Sequence, residues 1–177
     1  MRVINLFGGP GTGKSTTAAD LFSHMKWKNI NVELVNEYAK EVTWDERHKI
    51  LEDQLYIMAK QNHKLWRLQG KVDWVITDSP IVMALVYAGE NYLPNHFRYL
   101  GHEIYNHYDN INIFLKREKP YHSVGRNQTE NEARDLDAKI KNLLINSGYS
   151  FIEVPANQDA KHIIFNHLKV HHDLQFN

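Results

Sequence analysis

The chain has 177 residues, 42% hydrophobic and 24% charged, and its 21 basic side chains balance 21 acidic ones. That composition suits one soluble globular domain over residues 1–177, and zero net charge does not advertise extended binding to nucleic acid. The absence of cysteine excludes a disulfide framework, a thiolate metal site and a cysteine nucleophile, and no apolar run approaches the roughly 18 residues of a membrane span.

Short β-like runs alternate with helix-length amphipathic segments, the pattern of a parallel sheet buried on both faces. The first run, Arg2–Phe7, meets glycines too soon to be a secretory h-region, so a cytoplasmic location is expected. It ends at Gly8-Gly9-Pro10-Gly11-Thr12-Gly13-Lys14-Ser15-Thr16, which satisfies G-x-x-x-x-G-K-[ST]. A helical pattern through Ala18, Leu21, Phe22 and Met25 follows. Glycines let the backbone wrap a phosphate with its N–H groups inward, and the helix aims the positive end of its dipole at the same anion. Lys14 is expected on the β- and γ-phosphates of a nucleoside triphosphate, and Ser15 on Mg²⁺.

A second run, Asn31–Val35, is followed by Glu37, expected at the carboxyl edge of the sheet, where it can orient or deprotonate an attacking hydroxyl. Thr43 with Glu46 reads as a capping box opening a long helix to about Leu68. Between Lys40 and Gln61, Gln54 and Gln61 can hydrogen-bond a base edge, while Trp44 and Tyr56 are expected in the core. The third run, Asp73–Thr77, ends at Asp78, an acid placed beside the phosphate loop to hold Mg²⁺ directly or through water. Helices are expected over Ile81–Ala88 and Asn95–Tyr108, and a fourth run over Ile111–Leu115.

Lys116–Arg126 holds four basic residues and one acid. A lid over about 117–129 is expected to close on the triphosphate, with Arg117, Arg126 and Arg134 as candidates to neutralise charge on the transferred group. Thr129 with Glu132 reads as a second capping box, opening a helix through Ala133, Leu136, Ile140 and Leu143 to Gly148. A fifth run, Ser150–Val154, and a loose tail from His171 to Asn177 complete the chain. His102 with His107, and His162 with His167, are five apart rather than three or four, so the histidines are expected to pack or face solvent.

These pieces resemble the P-loop nucleoside and nucleotide kinases. More narrowly, they resemble small phage-type ATPase/kinase proteins related to the ribosylnicotinamide kinase domain. The resemblance rests on Gly8–Thr16, Asn36-Glu37-Tyr38-Ala39-Lys40, Tyr56–Gln61, Ile76–Pro80 and Gly125-Arg126-Asn127. It implies an α/β three-layer fold with a five-stranded parallel sheet of order 2-3-1-4-5, Mg-ATP as donor, an arginine-bearing lid, and adenine packing near Val154–Asn157. It also implies a nucleoside-type acceptor and, as is common in the group, a homodimer. Some relatives phosphorylate 5-hydroxymethyluracil in phage DNA, the leading specific acceptor here, and others phosphorylate nicotinamide riboside or deoxynucleotides.

A GTP-dependent switch is disfavoured because no N-K-x-D motif exists and Asp78 is followed by Ser79-Pro80-Ile81. Glu37 and the basic lid favour a phosphotransferase over an acceptor-free NTPase. In-line transfer from ATP is the expected chemistry.

Overall fold

The computed structural model describes residues 1–89, 91–93, 96–118, 120–122, 128–172 and 174. Five strands form one sheet: β1 (Arg2–Phe7), β2 (Val32–Val35), β3 (Trp74–Thr77), β4 (Asp109–Lys116) and β5 (Ile152–Pro155). All pairings are parallel and the order is β2-β3-β1-β4-β5, as the resemblance implied. Ile4 stands opposite Ile76 on one side and Ile111 on the other.

Alternation along β1 explains the three layers. Ile4 and Leu6 face a core with Leu21, Met25, Ile164 and Leu168, from the helices α1 (Lys14–Lys26) and α7 (Ala160–His171). Val3 and Phe7 face the opposite core. There they meet Met58 and Leu65 of α3 (Gln54–Trp66), Leu85 of α4 (Met83–Tyr87), Phe97 of α5 (His96–Asn106), and Ile140 and Leu144 of α6 (Glu130–Asn146). Each such fully buried side chain contributes about 1.5–3 kcal/mol.

The Thr43 capping box does not form. Thr43 lies near the end of α2 (Tyr38–Trp44), and its hydroxyl donates to the Ala39 carbonyl at 3.0 Å. Glu46 takes a left-handed φ of 57°, and the span of the expected long helix holds two elements, a 3-10 turn over His48–Glu52 and then α3. Asp53 starts the second, accepting from the Tyr56 amide at 3.1 Å. Trp44 and Tyr56 are exposed at 61% and 38%, not in the core. The second expected box is present in full: Thr129 accepts from the Glu132 amide, and the Glu132 carboxylate accepts from the Thr129 amide. In the expected tail, Leu174 is buried and donates its amide to Leu168, while residues 173 and 175–177 lie outside those described. No described helix is long and apolar enough to cross a membrane.

Candidate functional site

Glu37, Asp78 and Arg117 follow the last residues of β2, β3 and β4 by one or two positions, and the phosphate loop follows β1. Parallel pairing brings all four to one edge. Two glycines of the loop are required by their surroundings. Gly11 has φ +78°, and a Cβ there would lie 3.0 Å from the Tyr121 ring. A Cβ on Gly9 would lie 2.5 Å from the Ala133 carbonyl oxygen, so only glycine lets the loop touch α6. Thr12, fully buried, ties the turn by donating its hydroxyl to the Gly9 carbonyl at 2.8 Å. Gly13 then leads into α1, whose first residues are Lys14, Ser15 and Thr16.

Lys14 Nζ donates to the Gly9 carbonyl at 3.1 Å. Burial pushes its ammonium below the ordinary lysine range, while Glu37, Asp78 and Asp137 oppose that fall. Burial likewise raises the Glu37 carboxyl above its ordinary range, and Lys14 pulls it back. Asp78 is 2% exposed, and its Oδ1 accepts from the Glu37 amide at 2.9 Å. The next amide, Tyr38, donates to Gln61 Oε1 at 3.1 Å, and Gln61 Nε2 reaches Thr77 Oγ1 at 3.3 Å. Gln61 therefore secures the start of α2. It is not among the side chains lining the cavity described next.

A cavity of about 620 Å³ joins Lys14 to Glu37; Asp78, itself buried, is not in its lining, whereas the neighbouring Ser79 is. One end is Pro10, Gly11 and Gly13–Thr16 of the loop; the other is walled by Lys40, Gln54, Ile57, Met83 and Tyr87 from α2, α3 and α4, with Glu37 in the lining too. Gln54 lines the cavity, with its Nε2 donating to the Leu51 carbonyl at 2.7 Å. The donor set fits Mg²⁺: a serine hydroxyl and a carboxylate are hard oxygen ligands.

The lid candidates separate. Arg117 packs against the phosphate loop with a side chain only 6% exposed, its Nε donating to Asp137 Oδ2 at 2.9 Å. Arg134 is 61% exposed and pairs with Glu130 at 2.8 Å, one turn back on α6. Arg126 lies outside the described residues. Near the expected adenine region, the Ala156 amide donates to the Lys116 carbonyl and Asn157 Nδ2 to Glu118 Oε2, which draws Val154–Asn157 alongside Arg117. Sequence reasoning missed Asp137, whose Oδ1 accepts from the Gly9 amide at 2.5 Å. Its signal was a carboxylate in helical register with the buried Ala133, Ile140 and Leu144.

A family profile described as an AAA domain matches residues 3–161. Among solved structures, a NadR protein in complex with NR is similar, with a TM-score of 0.74, 14% identity, and coverage of 99% of this chain and 52% of that one. A NadR protein in complex with NAD and AMP-PNP gives 0.73, 16%, 99% and 51%. A deoxyadenosine kinase from M. mycoides with bound dATP gives 0.56 and 19%, covering 96% of this chain and 100% of that one. The chain spans about half the length of the NadR chains it matches. These likenesses show a P-loop kinase-like fold. No curated protein matches the chain.

Proposed function

The chain belongs to the AAA-domain family, and from that premise we propose that it is an ATP-dependent phosphotransferase acting on a hydroxyl of a nucleoside-type acceptor. One observation carries this reading: the cavity does not stop at the phosphate loop but continues into a walled pocket, with Glu37 in its lining. A hydrolase needs room only for water. A second substrate needs that pocket.

In this reading Lys14 and the loop amides between Gly8 and Thr16, apart from the Gly9 amide held by Asp137 and Pro10, which has none, bind the β- and γ-phosphates, whose oxygens replace the Gly9 carbonyl as the partner of Lys14. Ser15 and Asp78 hold Mg²⁺, which when bound neutralises charge on the triphosphate. Glu37 orients the acceptor hydroxyl and takes its proton as the phosphoryl group moves in line; a carboxyl raised by burial is a stronger base than a solvated one. Asp78, through the Glu37 amide, fixes where that carboxylate starts. Arg117, Arg126 and Arg134 are the arginines proposed to stabilise the transferred group.

The acceptor is tested with labelled Mg-ATP and three substrates: DNA containing 5-hydroxymethyluracil, nicotinamide riboside, and deoxynucleoside monophosphates. The first arm follows the sequence resemblance. The second is supported by the likeness to a NadR protein in complex with NR. Transfer to one acceptor, abolished in Lys14→Ala, supports the phosphotransferase. Phosphate release that no acceptor changes would replace it with an NTPase.

A further inference from the structure

Arg117 Nη1 and Nη2 are both buried and have no hydrogen-bond partner among the described residues. A guanidinium carries five donors and is always charged, so leaving its two terminal nitrogens unpaired in a buried place is costly. Their position is specific: a Cβ on Gly9 would stand 3.4 Å from Nη2, and one on Gly11 3.3 Å from Nη1. The guanidinium therefore lies against the Gly9–Gly11 stretch of the phosphate loop.

One carboxylate holds both parts in place. Asp137 Oδ2 accepts from Arg117 Nε at 2.9 Å, and its Oδ1 accepts from the Gly9 amide at 2.5 Å. Its side chain is 20% exposed and stands on α6, beyond the lid segment in sequence. Taking Nε and leaving Nη1 and Nη2 is a division of donors. A carboxylate in a bidentate pair takes two guanidinium N–H groups at once, whereas Asp137 takes Nε alone and gives its other oxygen to Gly9. The same contact stops the loop from moving independently of Arg117.

We propose that Asp137 is a positioning residue: it locks Gly9 and Arg117 into one unit so that the two terminal guanidinium nitrogens are presented to the donor nucleotide. The proposal rests on the nucleotide-binding reading above and adds to it a residue that touches neither substrate. It assigns Asp137 to the donor side of the reaction alone.

The test is Mg-ATP affinity by calorimetry, with steady-state kinetics, for Asp137→Asn, Arg117→Lys, Arg117→Ala and the double variant Asp137→Asn/Arg117→Ala. Asparagine still accepts from the Gly9 amide but loses the charge that aims Arg117. Lysine keeps the charge but cannot bind Asp137 and present two further nitrogens at once. Asp137→Asn and Arg117→Lys should each weaken ATP binding about tenfold or more, with the acceptor KM unchanged. The double variant should be no weaker than Arg117→Ala, because both changes remove one coupled contact. Wild-type affinity in Asp137→Asn, additive losses, or equal rises in both KM values would overturn the proposal while leaving nucleotide binding intact. A wild-type chain that takes up no Mg-ATP would overturn both readings.

Discussion

Glu37 is held where its own chemistry works against the fold. Burial raises its carboxyl above the ordinary value of 4.5, against the pull of Lys14, so across that window the folded chain binds more protons than the unfolded one. Stability from this group is then full below pH 4.5 and is lost as pH rises through the raised value. Glu37→Gln removes the titration. Urea unfolding of both proteins from below pH 4.5 to neutrality should show the variant gaining on wild type as pH rises; parallel curves would mean that Glu37 titrates normally. In transfer assays the same variant should lose about 10²-fold or more in kcat with little change in ATP affinity. A loss confined to ATP binding would remove Glu37 from the acceptor side. Gly9 and Gly11 were legible in the sequence because a phosphate loop admits few residue types. Asp137 was not: its partner amide on Gly9 is 128 positions away, and carboxylates on helices usually face water.

At the scale of elements, strand positions were legible to within a few residues because buried parallel strands read as apolar runs. The helices that wall the cavity were not. Leu51, Leu55, Met58, Leu65 and Trp66 keep a helical rhythm across a break at Asp53 that the rhythm itself does not mark. Leu55 and Trp66 then face solvent, while Gln54 and Gln61 turn inward. In α6 the stripe taken from sequence was Ala133, Leu136, Ile140 and Leu143; Ala133 and Ile140 are fully buried, but Leu136 and Leu143 are only partly so, and the stripe is rotated towards the fully buried Leu144. That rotation of the stripe concealed Asp137. The cap of α6 was legible, since a capping box is satisfied within four residues. Thr129→Ala should lower unfolding free energy by about 0.5–2 kcal/mol in urea titration. The loss should be the same with and without saturating acceptor. A cap that also serves the acceptor site would show a larger loss in its presence.

At the scale of the whole molecule, the site is an edge shared by four strands, so its ligand is a cross-link. Segments from residue 8 to Asp137 meet there, and nothing local holds Glu37 near Lys14 or Arg117 near Gly9 once the sheet is lost. A ligand gripped by that edge binds only the folded chain and stabilises it by RT ln(1 + [L]/Kd), about 2.7 kcal/mol at a hundredfold excess over Kd. For a chain of this size each kcal/mol raises Tm by roughly 2–4 °C. Mg-ATP at that excess should therefore raise Tm by about 5–10 °C in a thermal scan, by the same conversion. Lys14→Ala at the same ATP concentration should show little of the rise, because its loop offers the phosphates amides without the cation. Acceptor added on top of a non-hydrolysable ATP analogue should raise Tm again, since the cavity runs on from the loop into the pocket walled by α2, α3 and α4. If none of the three acceptors adds to the analogue's shift, the pocket does not take that class of molecule. Nucleotide binding would then stand without the transfer reaction proposed for it.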